Sequence, residues 1–538
     1  MQAAMEIFGF RPKHLPGLNQ SSFWLRHHHR VNRRNCCYLK HDPHPPRQVC
    51  TSVSVLNETD INAYGNASVS EVLRQMPGMA TSNAGGAGKA TSLRIRGEEG
   101  FRTLIIFDGM RLSDPASTQV GAQLEHLMSD GISRIEVLRG PQGLAYGADA
   151  GGVVNISSHP SGSGFFINLD TQAGDLGTKR FSGNIGGGNE KVDYFLSLSD
   201  FDTDGYNTRQ SDTVLHDDDG YRNTTSHGRI GFALTDNLRM NLVHREVDGD
   251  SQFDNCFSST TIHDCVSEYE FEGNRIALDY DSENYGHTLS YSDTKIDREN
   301  FALGVSSFTA KGELKRWEYL GNMKNLPGFE LVFGIDHEEA ILNGNARDND
   351  GFYLEYLSGF SDNFFITGGL RYDDNEDFGT NTSHRVGTAY LIDLDNSATL
   401  KFKGSVGTGF RAPSPFEIAY NAGASAFPPA SLVTLDHEES KGYELGVEYV
   451  LGHRLHLEAV YFDQEVKDAI FFDLANYSGY LQDTGTSTST GIELTANFQI
   501  NKNLQLKLTT LTTTQLGQTA NSVVAQKIWQ ISELNTVG

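Results

Sequence analysis

Residues 137–156 read VLRGPQGLAYGADAGGVVNI. Gly140, Gly143, Gly147, Gly151 and Gly152 crowd around Pro141, and the stretch closes on Val153, Val154 and Ile156. A phosphate-binding loop needs Lys-Ser/Thr after its glycines and a helix behind them. Neither follows here; the stretch runs into residues of strand type. Closely spaced glycines ahead of a strand suit tight turns and close backbone approach in a small domain of short strands.

The flanks extend that reading. From Thr51 to Pro160 the pattern is mixed. In SVSEVLRQMPG, Ser68 and Glu71 have the spacing of a capping box. Val69, Val72, Leu73 and Met76 form one apolar helical face, and Pro77-Gly78 ends it. TSLRIRG, RTLIIFDGMRL and ISRIEVLRG read as short strands that turn at glycine.

From Gly164 onward the period becomes two. In YELGVEYVL, Tyr443, Leu445, Val447, Tyr449 and Leu451 fall on one face, with Glu444, Gly446 and Glu448 on the other. GIELTANFQI places Ile492, Leu494, Ala496, Phe498 and Ile500 opposite Glu493, Thr495, Asn497 and Gln499. Connections alternate in length. Long ones are expected near Asp202–Asn223, Asp248–Ser267, Arg298–Ser307 and Arg411–His437. Short ones are expected at Thr235–Asn237, Ser282–Asn284, Ser361–Asn363 and Asp393–Asn396. Long loops on one side and short turns on the other are the habit of a transmembrane antiparallel β-barrel, and such a sheet must close because lipid leaves no partner for a free edge. No run of about 18 apolar residues is present, which excludes a membrane-spanning helix and not a barrel. Asp plus Glu outnumber Lys plus Arg by 69 to 43, a net charge of −26. That balance argues against nucleic acid as partner, since phosphates need a basic face.

In order and spacing, SVSVLNETDI, VSEVLRQMPGM, LRIRG, LIIFDGMRLSDP and RIEVLRGPQGLAYGADAGGVVNI resemble the plug of a TonB-dependent outer-membrane receptor. GTGFRAPSPFEIAY followed by LDHEESKGYELGVEY is similar to that family's late extracellular loop and the strand after it. The DTDGYN segment and its aspartate-rich loop are nearest the cobalamin transporter-like branch. The resemblance implies a mainly β fold: a barrel, of 22 strands in the family and about 18 visible here, filled by an N-terminal α+β plug. It implies residence in the outer membrane as a multi-pass protein in contact with lipid. It also implies energised uptake of a scarce large ligand, cobalamin or a ferric siderophore, driven by the TonB energy-transducing complex. The domain boundaries expected are an atypical leader at 1–50, a plug at 51–160, a barrel at 164–512 and an atypical tail at 513–538.

Candidate residues follow from the same reading. Arg94, Arg96 and Arg139 lie in plug strands. Glu444, Glu448 and Glu493 face inward by alternation. Plug arginines against wall carboxylates would hold the plug reversibly, with solvated charges in a wet lumen as the competing reading. Asp202, Asp204, Asp217, Asp218 and Asp219 share one expected extracellular loop, a set of hard oxygens suited to calcium unless the loop is simply a solvated acidic one. Cys256 and Cys265 sit close together on the oxidising side and are expected to pair. No nucleophile–base motif, zinc spacing or Walker loop marks an enzyme, and no cofactor other than calcium is expected.

The leader carries eight basic and two acidic residues, His27-His28-His29, Cys36, Cys37 and Cys50. It shows neither a secretory signal nor a coupling box before Thr51. With strands countable only to about Thr512, the chain is expected to be a poor transporter. The alternative to an energised receptor is a non-transporting or inactive truncated barrel, acting as a passive pore or a surface adhesin.

Overall fold

A computed structural model describes residues 48–516 and the backbone of 524–532, apart from 66–67, 119, 142, 148–150, 159–163, 210–216, 258–260, 395–396 and 502–503. The leader's histidine run and its first two cysteines lie outside the described residues.

The glycine-rich stretch is the middle of the plug. Ile132–Arg139 and Gly152–Ser158 pair antiparallel, and Gly152–Ser158 also pairs parallel with Thr103–Phe107. With Val53–Asn57 and Met110–Arg111 they make a five-stranded sheet. Gly152 adopts φ 148°, and a Cβ there would lie 2.5 Å from the Leu138 carbonyl oxygen, so glycine is required where the two strands close on each other. The helix Val69–Leu73 starts at Ser68, whose hydroxyl accepts the Glu71 N–H. Glu71 itself turns to Arg74 at 2.9 Å, so only half of the expected capping box forms. Val69, Val72 and Leu73 pack with Leu93, Ile95, Phe107, Ile135, Val137, Val154 and Ile156 into one apolar core.

Around the plug, eighteen strands among the described residues form a closed barrel, from Gly164–Ala173 to Val524–Ser532. The alternation reads directly into space. Leu445 is 63% exposed on the outer face and Glu444 is 1% exposed on the inner one. Ile276, Leu289, Trp317, Leu354 and Leu370 continue the exposed apolar band, the surface a lipid-embedded barrel presents. Among the described barrel strands, every pair joined by more than five residues is joined at the same end.

Two expectations are corrected. Arg298–Ser307 is not a long loop: Tyr285–Ala302 and Val305–Leu326 run through it. Leu303 and Gly304 make the turn with φ 51° and 71°, the doubly positive geometry that matches strand twist. These strands project far enough that their tips need no lipid-facing alternation, which is why they read as loop. Residues 513–538 are not an atypical tail throughout. The strand Leu504–Leu516 continues into them, and Val524–Ser532 pairs with it antiparallel. Satisfying the backbone groups of two open edges outweighs a weak side-chain pattern.

Candidate functional site

The plug meets the wall through buried charges. Arg96 follows the strand Thr91–Ile95 and takes a left-handed backbone, φ 54°, at a cost of about 1–3 kcal/mol. That turn swings its guanidinium away from the plug core and into the wall. Nη2 lies 2.9 Å from Glu444 and 3.0 Å from Glu493, with Cζ 4.5 Å above the Phe462 ring. Arg139 reaches Glu493 at 3.3 Å and donates to the Pro77 carbonyl at 3.1 Å. Glu444 also accepts the Thr51 hydroxyl at 2.8 Å and the Ser52 N–H at 2.5 Å, so one wall carboxylate ties two plug segments. Gly78, at φ 75°, passes so close to Glu493 that any Cβ would collide with its carboxylate.

Arg94 and Glu448 do not join this cluster. Arg94 bonds Glu99 within the plug at 2.7 Å and is partly exposed. It sits on the strand face opposite Leu93 and Ile95, which turns it toward solvent. Glu448 faces inward as expected but is opposed across the sheet by Lys401, and it pairs with Lys401 at 3.3 Å and Lys403 at 2.7 Å.

Further anchors escaped the sequence reading. Arg102 reaches Glu438 at 2.9 Å and Glu98 at 3.3 Å. Arg411 shares Glu438 at 2.9 Å and meets Glu417 at 3.1 Å. Glu417 closes a capping box with Ser414 at the start of the helix Pro415–Ala422. Asp114 pairs with Arg298 at 3.0 Å, and Asp130 with Arg180. Asp108 accepts from Ser158 Oγ at 2.6 Å and His227 Nε2 at 2.9 Å. Burial is the largest single influence and opposes its charge, but the His227 bond, the charges of His227 and Arg229 and the Ser158 bond together hold the Asp108 carboxyl down at about 2. Glu438 was findable, since it shares the parity of Glu444 six residues on.

The five aspartates considered for calcium do not converge. Asp202 bonds Arg222 at 3.1 Å on the outer face, while Asp219 turns inward to accept from Thr208 N–H and Oγ1 at 2.7 and 2.6 Å. Strand parity and the register shift between Thr203 and Tyr206 separate them. Among the described residues no group of three or more His, Cys, Asp or Glu side chains is placed to hold a metal ion. Cys256 and Cys265 are joined, with S–S 2.00 Å and Cα–Cα 6.2 Å.

At the long-loop end, plug and wall enclose a cavity of about 160 Å3. Arg102 and Arg111 of the plug and Arg316, Arg347, Arg371 and Arg411 of the wall line it. The site therefore has two parts: an arginine-lined vestibule open toward the loops, and beneath it a plug clamped by ion pairs.

Comparison with known proteins agrees with this architecture. A family model described as "TonB-dependent Receptor Plug Domain" matches residues 45–154. One described as "TonB dependent receptor-like, beta-barrel" matches residues 158–535. The chain belongs to the TonB-dependent receptor family. Among curated relatives of this receptor, the vitamin B12 transporter of Photobacterium profundum is 27% identical over 469 residues, covering 84% of this chain and 74% of that protein. That of Vibrio vulnificus strain YJ016 is 26% identical, covering 78% and 68%. Similar solved structures include a mutant ferric enterobactin receptor of Pseudomonas aeruginosa, at TM-score 0.73 and 18% identity over 87% of this chain and 80% of that one. A siderophore receptor of Acinetobacter baumannii gives TM-score 0.70 and 18% identity, over 86% and 80%. These structures share the fold of the receptor.

Proposed function

We propose that this receptor carries a scarce large ligand, cobalamin or a ferric siderophore, across the outer membrane. The ligand enters from the long-loop end, and energy comes from the TonB complex acting on the plug. The observation that carries the reading is the clamp formed by Arg96 and Arg139 with Glu444 and Glu493. A plug meant only to seal would be held best by apolar packing, because replacing a buried ion pair by hydrophobic residues is often neutral or stabilising. Charge pairs instead can exchange partners or take up water as the plug shifts, so the interface can open and reform. The curated relatives support cobalamin, and the solved relatives support siderophores.

Uptake of radiolabelled cyanocobalamin and ferric siderophore by cells displaying the chain tests this. Accumulation that stops on adding an uncoupler or deleting TonB is the expected result. Equal entry with and without energy would instead favour a passive pore.

A further inference from the structure

We propose that Asp108 of the plug is a catch with two positions on the wall: it holds His227 in the resting receptor and passes to Arg245 when the plug is displaced. Arg245 thereby has a positioning role in transport, an assignment that rests on the receptor reading above.

Arg245 is buried at a cost. It projects inward from the strand Leu238–Phe253 and is 2% exposed. Val243 and Val247, its neighbours on the same face, are buried and apolar. Among the described residues no carboxylate lies within 4.0 Å of it, and its Nη2 is buried without a hydrogen-bond partner. Its Cζ rests 4.4 Å from the centre of the Phe107 ring, a weaker hold than an ion pair. Tyr269, Asp108 and Asp130 act on its charge from further off. A buried guanidinium outside any ion pair costs free energy that a leucine in its place would not. Inside a membrane barrel such a charge points to a second state in which a partner meets it.

Asp108 is the carboxylate placed to do so. Asp130 is tied to Arg180, and Tyr269 is a phenol stacked on His126 at 4.2 Å. Asp108 lies on the two-residue turn between the strands Thr103–Phe107 and Met110–Arg111. Asp108 and Gly109 both take left-handed backbones there, at φ 45° and 84°, the geometry of a tight hairpin tip. The carboxylate accepts from His227 Nε2 at 2.9 Å. His227 and Arg245 are direct cross-strand partners, so the two positions stand one interstrand spacing apart, about 4.8 Å. Phe107 already touches both: its ring meets that of His227 edge-on at 5.0 Å and lies under Arg245. A sideways turn of the plug by one strand therefore carries Asp108 from one to the other. Arg245 is always charged and offers a two-pronged donor, so the displaced plug gains an ion pair that the resting one lacks. That gain offsets part of the cost of parting Arg96 and Arg139 from Glu444 and Glu493.

Cells displaying the full chain are given radiolabelled cyanocobalamin and ferric enterobactin, and the accumulation that an uncoupler abolishes is measured. The same proteins, refolded in detergent, are unfolded in urea with a fluorophore on the plug. Arg245→Leu should keep the plug's urea midpoint at or above that of the parent. It should lower energised accumulation by about tenfold or more, the worth of one charge-assisted bond, with Arg245→Lys falling between. Asp108→Asn combined with Arg245→Leu should accumulate no less than Arg245→Leu alone, because both changes remove the same bond. Heat-modifiable migration shows that each barrel has formed; if Arg245→Leu does not form one, Arg245→Gln is read by the same criteria. A lower urea midpoint would make Arg245 a support of the resting plug and overturn the proposal. Accumulation by the folded variant within about twofold of the parent would overturn it too, as would a double variant that accumulates less than Arg245→Leu alone. Each of these results leaves the receptor reading standing. Absence of energised accumulation of both probes in the parent would end both.

Discussion

Glu444 concentrates much of the plug's attachment in one carboxylate. It accepts from Thr51, Ser52 and Arg96, so its loss leaves the buried Arg96 guanidinium with Glu493 alone and frees the first residues of the plug together. Breaking a buried pair by removing one partner costs about 3–5 kcal/mol. Glu444→Gln keeps the shape and one acceptor oxygen, and should fall at the lower end. We expect the plug of this variant to unfold at lower urea while the barrel's own transition stays in place, read by a fluorophore on the plug and by gel migration for the barrel. Glu125 tests the opposite sign. Burial raises its carboxyl to about 7, above the ordinary value of about 4.3. A group raised by folding contributes stability that is complete below its unfolded value and is lost as pH rises through the folded one. The plug should therefore weaken between about pH 4 and pH 7. Glu125→Gln should flatten that slope and make the plug more stable than the parent at pH 8. An unchanged slope in the variant would assign the dependence to other groups.

At the scale of elements, the ribbon that carries Cys256 and Cys265 should depend on its bridge. The two residues are nine apart, and closing so short a loop stabilises by about 2–3 kcal/mol in the chain-entropy account. Denatured, unreduced protein should leave both thiols unalkylated by mass, and reductant should expose them; alkylation without reductant would show the bridge is not formed. What could be read from the sequence at this scale depended on how local each cause was. The inward turn of Glu444 and Glu493 follows from parity within one strand, so alternation found them. Glu448 obeys the same parity, yet its partners are Lys401 and Lys403 of the neighbouring strand, which no pattern within its own strand reveals. Arg94 and Arg96 share a parity but not a fate, because the left-handed backbone at Arg96 redirects its side chain. The arginines of the vestibule come from five separate segments and become a site only through closure of the barrel.

For the whole molecule, the question is what makes an eighteen-stranded sheet acceptable in lipid. The band of Leu445, Ile492, Leu494 and their neighbours supplies the apolar surface, but surface alone does not permit insertion. Each backbone group left unpaired in the hydrocarbon costs several kcal/mol, so stability turns on the last strand. Val524–Ser532 bonds Leu504–Leu516 on one side and stands next to Gly164–Ala173 in the closed ring. Removing residues 524–538 would bare the edges of both neighbours at once. The plug would be left clamped to a sheet that cannot close, since its main anchors, Glu438, Glu444 and Glu493, lie on strands that remain. We therefore expect this truncation to lose heat-modifiable migration and membrane insertion completely rather than in proportion to the length removed. Insertion of the truncated chain with normal heat-modifiability would show that the sheet can re-register and close on fewer strands, and that Val524–Ser532 is dispensable to the ring.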